Sequence, residues 1–157
     1  MARPKTSIKV KFVKLAATAK LPVYKHVNDA GCDLFAAESA TIKPGERRAI
    51  TTAVAWLPPK APTGKQYVLI VKSRSGMAFK ENAEASNAGV IDEGYTGAIG
   101  VMIQNFSNTP LKVKLGDRFA QGIIQEIPLV TIEQGTIAEL NKRKGRGTAG
   151  FGSTGKK

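Results

Sequence analysis

Residues 87–100 read NAGVIDEGYTGAIG. Two short apolar runs, residues 88–91 and 98–103, flank Asp92-Glu93-Gly94-Tyr95-Thr96-Gly97, whose glycines give the backbone the freedom a tight reversal needs. The stretch reads as a β-hairpin. Asp92 directly follows a run expected to be buried, at the mouth of an apolar wall, where a carboxylate is partly desolvated and held in one direction. Such a group can act as a general base. An aspartate in this setting more often only caps the turn, and the stretch alone favours that reading.

Working upstream, residues 67–71 form a strand that runs into Lys72-Ser73-Arg74-Ser75-Gly76-Met77-Ala78. A guanidinium fork, short hydroxyl donors and a glycine-opened backbone at a strand end are the parts of a phosphate site, although a solvated turn has the same composition. Residues 77–85 are rich enough in Ala and Glu for one or two helical turns. Residues 47–57 are β-branched and strand-like, between a Pro-Gly turn at 41–45 and a proline-rich loop from Pro58 to Gly64. Residues 30–36, AGCDLFA, place Asp33 inside a short apolar strand, where an acid needs a partner such as a buried arginine. His26 lies in a surface connection and is assigned no role, and residues 7–15 alternate apolar side chains with lysine, as a half-buried strand does.

Downstream, residues 97–106 form a long apolar strand, 107–110 a turn, and 111–115 an alternating strand. Residues 116–124, GDRFAQGII, lead from a turn into a strand carrying Arg118 and Gln121. Arg118 suits either Asp33 or a phosphate, and Gln121 can hydrogen-bond either. Many short strands, turn signals about every ten residues and one weak helix predict an antiparallel sandwich or barrel.

Lysine and arginine number 24 against 12 acids, a formal charge of +12 that favours polyanionic partners. One cysteine, Cys32, and one histidine exclude a disulfide framework and a zinc site of the usual Cys/His type, so any metal is held by oxygen. No secretory h-region and no run of membrane-spanning length occur, so no membrane association is expected and the protein is read as intracellular. On that reading the sequon Asn105-Phe106-Ser107 carries no glycan. From Asn141 the chain becomes basic and glycine-rich, a composition that builds no core and is expected to be flexible. Its GxGxxG and Walker-like patterns neither follow a strand nor open a helix, so they predict no Rossmann or P-loop site. A wrap around a polyphosphate, with Phe151 stacked on a base, is one reading of this tail; a basic flexible tail is the other.

In order and spacing, five segments resemble the five motifs of the trimeric dUTPase family: residues 30–34, 74–78, 89–97, 116–121 and 146–155. The resemblance implies a jelly-roll-like β-barrel over residues 1–140. It also implies a flexible tail, 141–157, that completes a neighbouring subunit's active site in a homotrimer. The implied reaction is hydrolysis of dUTP to dUMP and pyrophosphate. Asp92 would activate the water that attacks the α-phosphorus. Tyr95 would lie against the sugar and exclude a 2′-hydroxyl, while the backbone around Asn87, Gly89 and Val90 would read uracil. Arg74, Ser75, Gly76 and Gln121 would hold phosphates, Arg146, Gly152, Ser153 and Thr154 would clamp the β- and γ-phosphates, and Phe151 would stack over the base. Mg2+ would ride mainly on the phosphates, with Asp33 contacting its waters.

The chain departs from the common family pattern at Gly94, where an aspartate often precedes the tyrosine, and at Met77, Ala149 and Ser73, which replace leucine, glycine and proline. The implied compartment is the cytoplasm, or the nucleus for a eukaryotic or viral source. The excess positive charge predicts weak non-specific nucleic-acid binding. A dCTP deaminase, sustained by Glu93, and a non-catalytic nucleotide- or nucleic-acid-binding module are the alternatives on the same fold.

Overall fold

The computed structural model describes residues 8–86 and 90–143. Eleven strands and two short helices occur among them. β1 (Lys11–Lys14) pairs with β5 (Val54–Leu57), and β3 (Ala40–Ile42) pairs with β10 (Leu111–Val113). A four-stranded sheet runs β2 (Cys32–Phe35), β11 (Arg118–Pro128), β6 (Lys65–Lys72), β8 (Val90–Asp92). A three-stranded sheet runs β4 (Arg47–Thr51), β9 (Gly100–Asn105), β7 (Ala83–Ser86). Every pairing is antiparallel. The strands form a jelly-roll-like β-barrel.

Alternation builds the core. β9 turns Val101, Ile103 and Asn105 inward on alternate residues, and from the other sheet Leu34, Leu69 and Ile91 meet them in one buried cluster. A lone polar residue in such a row needs full satisfaction. The fully buried Asn105 has it: its amide donates to the carbonyls of Ile42 and Thr109 at 2.9 Å each, and its oxygen accepts from Ser107 N–H at 3.0 Å and Ser107 Oγ at 2.8 Å. A sequon asparagine held this way is closed to a glycan.

Several local expectations are corrected. Among the described residues the two apolar runs do not pair as the expected hairpin: β8 pairs with β6 and β9 with β4 and β7, so the intervening turn carries the chain from one sheet to the other. Glycines permit a reversal, but here burial of Ile91 and Ile99 in the common core decides which sheet each run joins. The strand expected over 47–57 breaks at Thr52 and Ala53; Ala53 has φ 50°, and the buried Thr52 hydroxyl donates to Ile99 carbonyl at 2.8 Å. The helical turn comes earlier than 77–85, as α1 (Ser75–Lys80), because tertiary pairing draws Ala83 and Ala85 into β7. The expected first strand shrinks to β1; Val10 and Phe12 pack against the core, whereas Ile8 is exposed. A second helix, α2 (Ile137–Lys142), spans the position where the tail was expected to begin. Its signal was legible: Thr136 and Glu139 form a capping box.

Candidate active site

The first group of expected site residues gathers at one end of the four-stranded sheet. Register places Asp33 of β2 opposite Gln121 of β11, and Gln121 opposite Lys72, the last residue of β6. The chain leaving β6 then brings Arg74 back over this row. Arg74 Nε lies 2.8 Å from one oxygen of Asp33, and Arg118 Nη1 lies 3.2 Å from the other. Arg74 also donates through Nη1 to the Arg118 carbonyl at 3.1 Å. The acid inside the strand thus has the arginine partners its burial demands. Two guanidinium charges against one carboxylate leave a positive surplus, with both forks half-exposed and able to meet an anion.

Behind the arginines, Gln121 Nε2 donates to the Ser73 carbonyl at 2.8 Å. Gly31 makes room for it: a Cβ there would stand 2.8 Å from Gln121 Oε1. Ser73 Oγ accepts from Ala85 N–H at 2.7 Å and faces the Ala85 carbonyl at 3.3 Å, tying the end of β6 to β7 in the other sheet. Where a proline would supply stiffness, this serine supplies a cross-sheet tie. Ser75 is exposed, and a Cβ at Gly76 would meet nothing within 4 Å, so this face is open to a ligand. Met77 keeps the apolar role of the leucine it replaces, buried under α1.

A second group lies at the β8 end. Val90, Ile91, Asp92, Tyr95, Ala98 and Gly100 line an open cleft of about 350 Å³, within the range of small-molecule sites. The Asp92 carbonyl accepts two hydrogen bonds, from Tyr95 N–H at 3.1 Å and from the indole of Trp56 at 3.1 Å. Tyr95 folds its ring over Gly97 and donates its hydroxyl to the Ala98 carbonyl at 3.1 Å. Glu93 turns the other way and accepts from Tyr67 N–H at 3.1 Å. The expectation of a partly desolvated Asp92 is not met within one chain. β8 alternates exposed, buried, exposed, so the inward turn of Ile91 puts the Asp92 side chain in solvent.

The two groups are not brought together by a single chain. Asp92 stands opposite Val68 and Gln121 opposite Lys72, on opposite flanks of β6. Four residues along the strand and two strand spacings across it amount to roughly 13 Å and 10 Å. Asn87, Gly89, Arg146, Phe151, Gly152, Ser153 and Thr154 lie outside the described residues. Sequence reasoning missed the Ser73 tie, the packing of Gly31 on Gln121 and the Trp56 hydrogen bond. For Trp56 a signal existed, since a buried indole N–H has to find an acceptor.

No group of three or more His, Cys, Asp or Glu side chains that could hold a metal occurs among the described residues. Both Asp33 oxygens already meet arginines. This donor set fits magnesium carried by phosphate oxygens and water, not one caged by the protein.

A family model for dUTPase matches residues 17–155. The deoxyuridine 5'-triphosphate nucleotidohydrolase of Clostridium tetani is 37% identical over 151 residues, covering 96% of this chain and 97% of the relative. The mouse protein of the same name is 37% identical over 155 residues, covering 99% and 90%. The dUTPase of Staphylococcus bacteriophage 80alpha, solved with dUPNHPP, superposes with a TM-score of 0.78 at 28% identity, covering 94% of this chain and 98% of that one. A mutant dUTPase from phage phi11 of S. aureus, described with a structural Mg(II) ion, superposes with a TM-score of 0.68 at 27% identity, covering 82% and 96%.

Proposed function

The chain belongs to the dUTPase family and hydrolyses dUTP to dUMP and pyrophosphate; we propose that Asp92 orients and deprotonates the attacking water. A bond forms from the water oxygen to the α-phosphorus, the bond to the α–β bridging oxygen breaks, the water proton passes to Asp92, and pyrophosphate leaves. The observation that carries this reading is the Asp92 carbonyl, which ties the carboxylate and the Tyr95 ring into one turn beside the cleft. Such a turn serves positioning as well as proton transfer. Tyr95 packs against the deoxyribose and leaves no space for a 2′-hydroxyl. The backbone of Asn87, Gly89 and Val90 reads the uracil edge.

Arg74, Ser75, Gly76 and Gln121 hold the phosphates at the positive end of the sheet, where fixed charge meets the charge that develops as pyrophosphate departs. Arg146, Gly152, Ser153 and Thr154 close on the β- and γ-phosphates, and Phe151 covers the base. Mg2+, when bound, would offset phosphate charge, and Asp33 would contact its waters.

We infer a homotrimer with each active site at a subunit junction. The distance between the two groups on one chain supports this, because a base must come within hydrogen-bond reach of the water that attacks beside the phosphate grip. Exposed apolar side chains support it as well: Phe79 is 90% exposed and Ile132 93%, and Leu129 and Val130 accompany Ile132. Activity on a nucleotide favours a cytoplasmic or nuclear setting, and no helix among the described residues is long and apolar enough to cross a membrane. The surplus positive charge favours weak, non-specific binding of nucleic acid, expected as retention on DNA that is lost as salt is raised.

The deaminase reading loses support from Glu93, whose carboxylate is engaged by the β6 backbone and is not among the residues lining the cleft. The decisive assay offers dUTP, dCTP, dTTP and UTP with magnesium and follows pyrophosphate and ammonia. Pyrophosphate from dUTP alone, cut to a small residual rate in Asp92→Asn, is expected. Ammonia from dCTP, or full activity of the variant, overturns this mechanism.

A further inference from the structure

We propose that Trp56 is a positioning residue for the reaction: its indole N–H holds the Asp92 carbonyl and thereby sets the direction of the Asp92 carboxylate. The inference rests on Asp92 being the base.

Trp56 is the chain's one tryptophan and is 1% exposed. It lies in β5, paired with Phe12 of β1, so the ring is fixed by packing on a rigid element. Its Nε1 donates to the Asp92 carbonyl at 3.1 Å. The same strand grips the far end of the turn, since Ile99 N–H donates to the Val54 carbonyl at 2.8 Å. β5 therefore holds both ends of the segment that carries Asp92 and Tyr95, one through a side chain and one through the backbone. Thr52 adds a further hold on Ile99, donating its N–H to the Ile99 carbonyl at 3.0 Å.

The consequence follows from covalent geometry. Carbonyl and side chain of Asp92 share one Cα, so fixing the carbonyl fixes the Cα–Cβ direction from which the exposed carboxylate projects. Nothing else in the described chain holds that carboxylate: no hydrogen bond or ion pair to it is present among the described residues. Precision at Asp92 thus comes from its backbone, which pairs with Val68 of β6 on one side and is held at its carbonyl by the indole.

A single tryptophan permits a clean test. Expression in a tryptophan auxotroph supplied with 3-benzothienylalanine replaces only residue 56 and exchanges the ring N–H for sulfur at nearly constant shape. The variant is expected to melt close to the parent, to keep its KM for dUTP within about threefold, and to lose about tenfold in kcat. Trp56→Phe should show the same split with a lower melting temperature. In an Asp92→Asn background the analogue should cost nothing further. Unchanged kcat in a folded analogue protein overturns the inference, and so does an equal loss in the Asp92→Asn background. Should Asp92→Asn itself retain full activity, the assignment of the base fails, a separate result read from a separate variant.

Discussion

The Asp33 carboxylate, 12% exposed, meets Arg74 Nε at 2.8 Å and sets where that guanidinium points. Its second oxygen meets Arg118, so one acid orients both cations at the end of the sheet. Asp33→Asn removes the charge that holds them and turns an amide donor toward a donor. The variant should raise KM for dUTP on the order of tenfold. Initial rates across a dUTP concentration series measure this, and an unchanged KM would refute the orienting role.

Gly31 acts on the same region without touching either arginine. An alanine methyl would press on Gln121 Oε1, the end of a flexible side chain that can swing away, and would stand 3.3 Å from Gln121 Cβ, where the strands need part only slightly. Gly31→Ala should therefore cost only about 1 kcal/mol of stability, the low end for added bulk in a packed region. Activity should fall more, on the order of tenfold in kcat/KM, because Gln121 then lets go of the Ser73 carbonyl. Denaturant titration and kinetics on one preparation separate the two effects.

Gly97 has a different neighbour. A Cβ there would lie 2.7 Å from Tyr95 Cζ and closer still to its hydroxyl oxygen, so Gly97→Ala must move the ring off its present seat. If the ring excludes the ribose 2′-hydroxyl, the preference for dUTP over UTP should narrow about tenfold. The ratio of the two kcat/KM values is the readout, and a preserved ratio would separate Tyr95 from sugar selection.

Stability, by contrast, should respond most to Asn105. Asn105→Leu keeps the volume but strands the Ile42 carbonyl and the N–H of Ser107, while the Thr109 carbonyl keeps the Ser107 hydroxyl. At about 1 kcal/mol or more for each buried group left unpaired, the loss should be at least about 2 kcal/mol. Thermal unfolding should show it as a drop of several degrees, while folded enzyme at low temperature keeps its kcat.

At alkaline pH the edge of β6 should loosen. Glu126, hydrogen-bonded to Lys65 and attracting its charge, raises the Lys65 pKa. Burial, reinforced by Glu126, raises that of Tyr67. Both groups hold their protons more tightly folded than unfolded, so their contribution is complete below the unfolded values near 10.5 and 10.0 and disappears as pH rises through the folded ones. The melting temperature should therefore fall above about pH 10, and less steeply in Glu126→Gln. Lys65 is solvent-accessible, so its share is small and shrinks in salt, whereas Tyr67 is buried in the core and its share is insensitive to salt.

Much of this protein follows from the sequence alone. Alternation along 101–105 and 111–113, with turns at Gly45 and Gly116 that adopt φ 74° and 84°, specifies antiparallel strands whatever their partners. Asp33 inside an apolar strand demands a cation, and Arg118 was a foreseeable answer. Pairing was not legible in the same way. The glycines at 94 and 97 suit a hairpin, yet Ile91 and Ile99 bury into a core shared by both sheets, and that non-local gain outweighs the local preference for a reversal. The exposure of Asp92 has the same origin, because its face depends on which way Ile91 turns. Tertiary structure alone decided that Trp56 would reach the Asp92 carbonyl and that Ser73 would tie one sheet to the other. Each contact depends on the fold setting strands of different sheets against each other, and no local pattern encodes which sheets will meet.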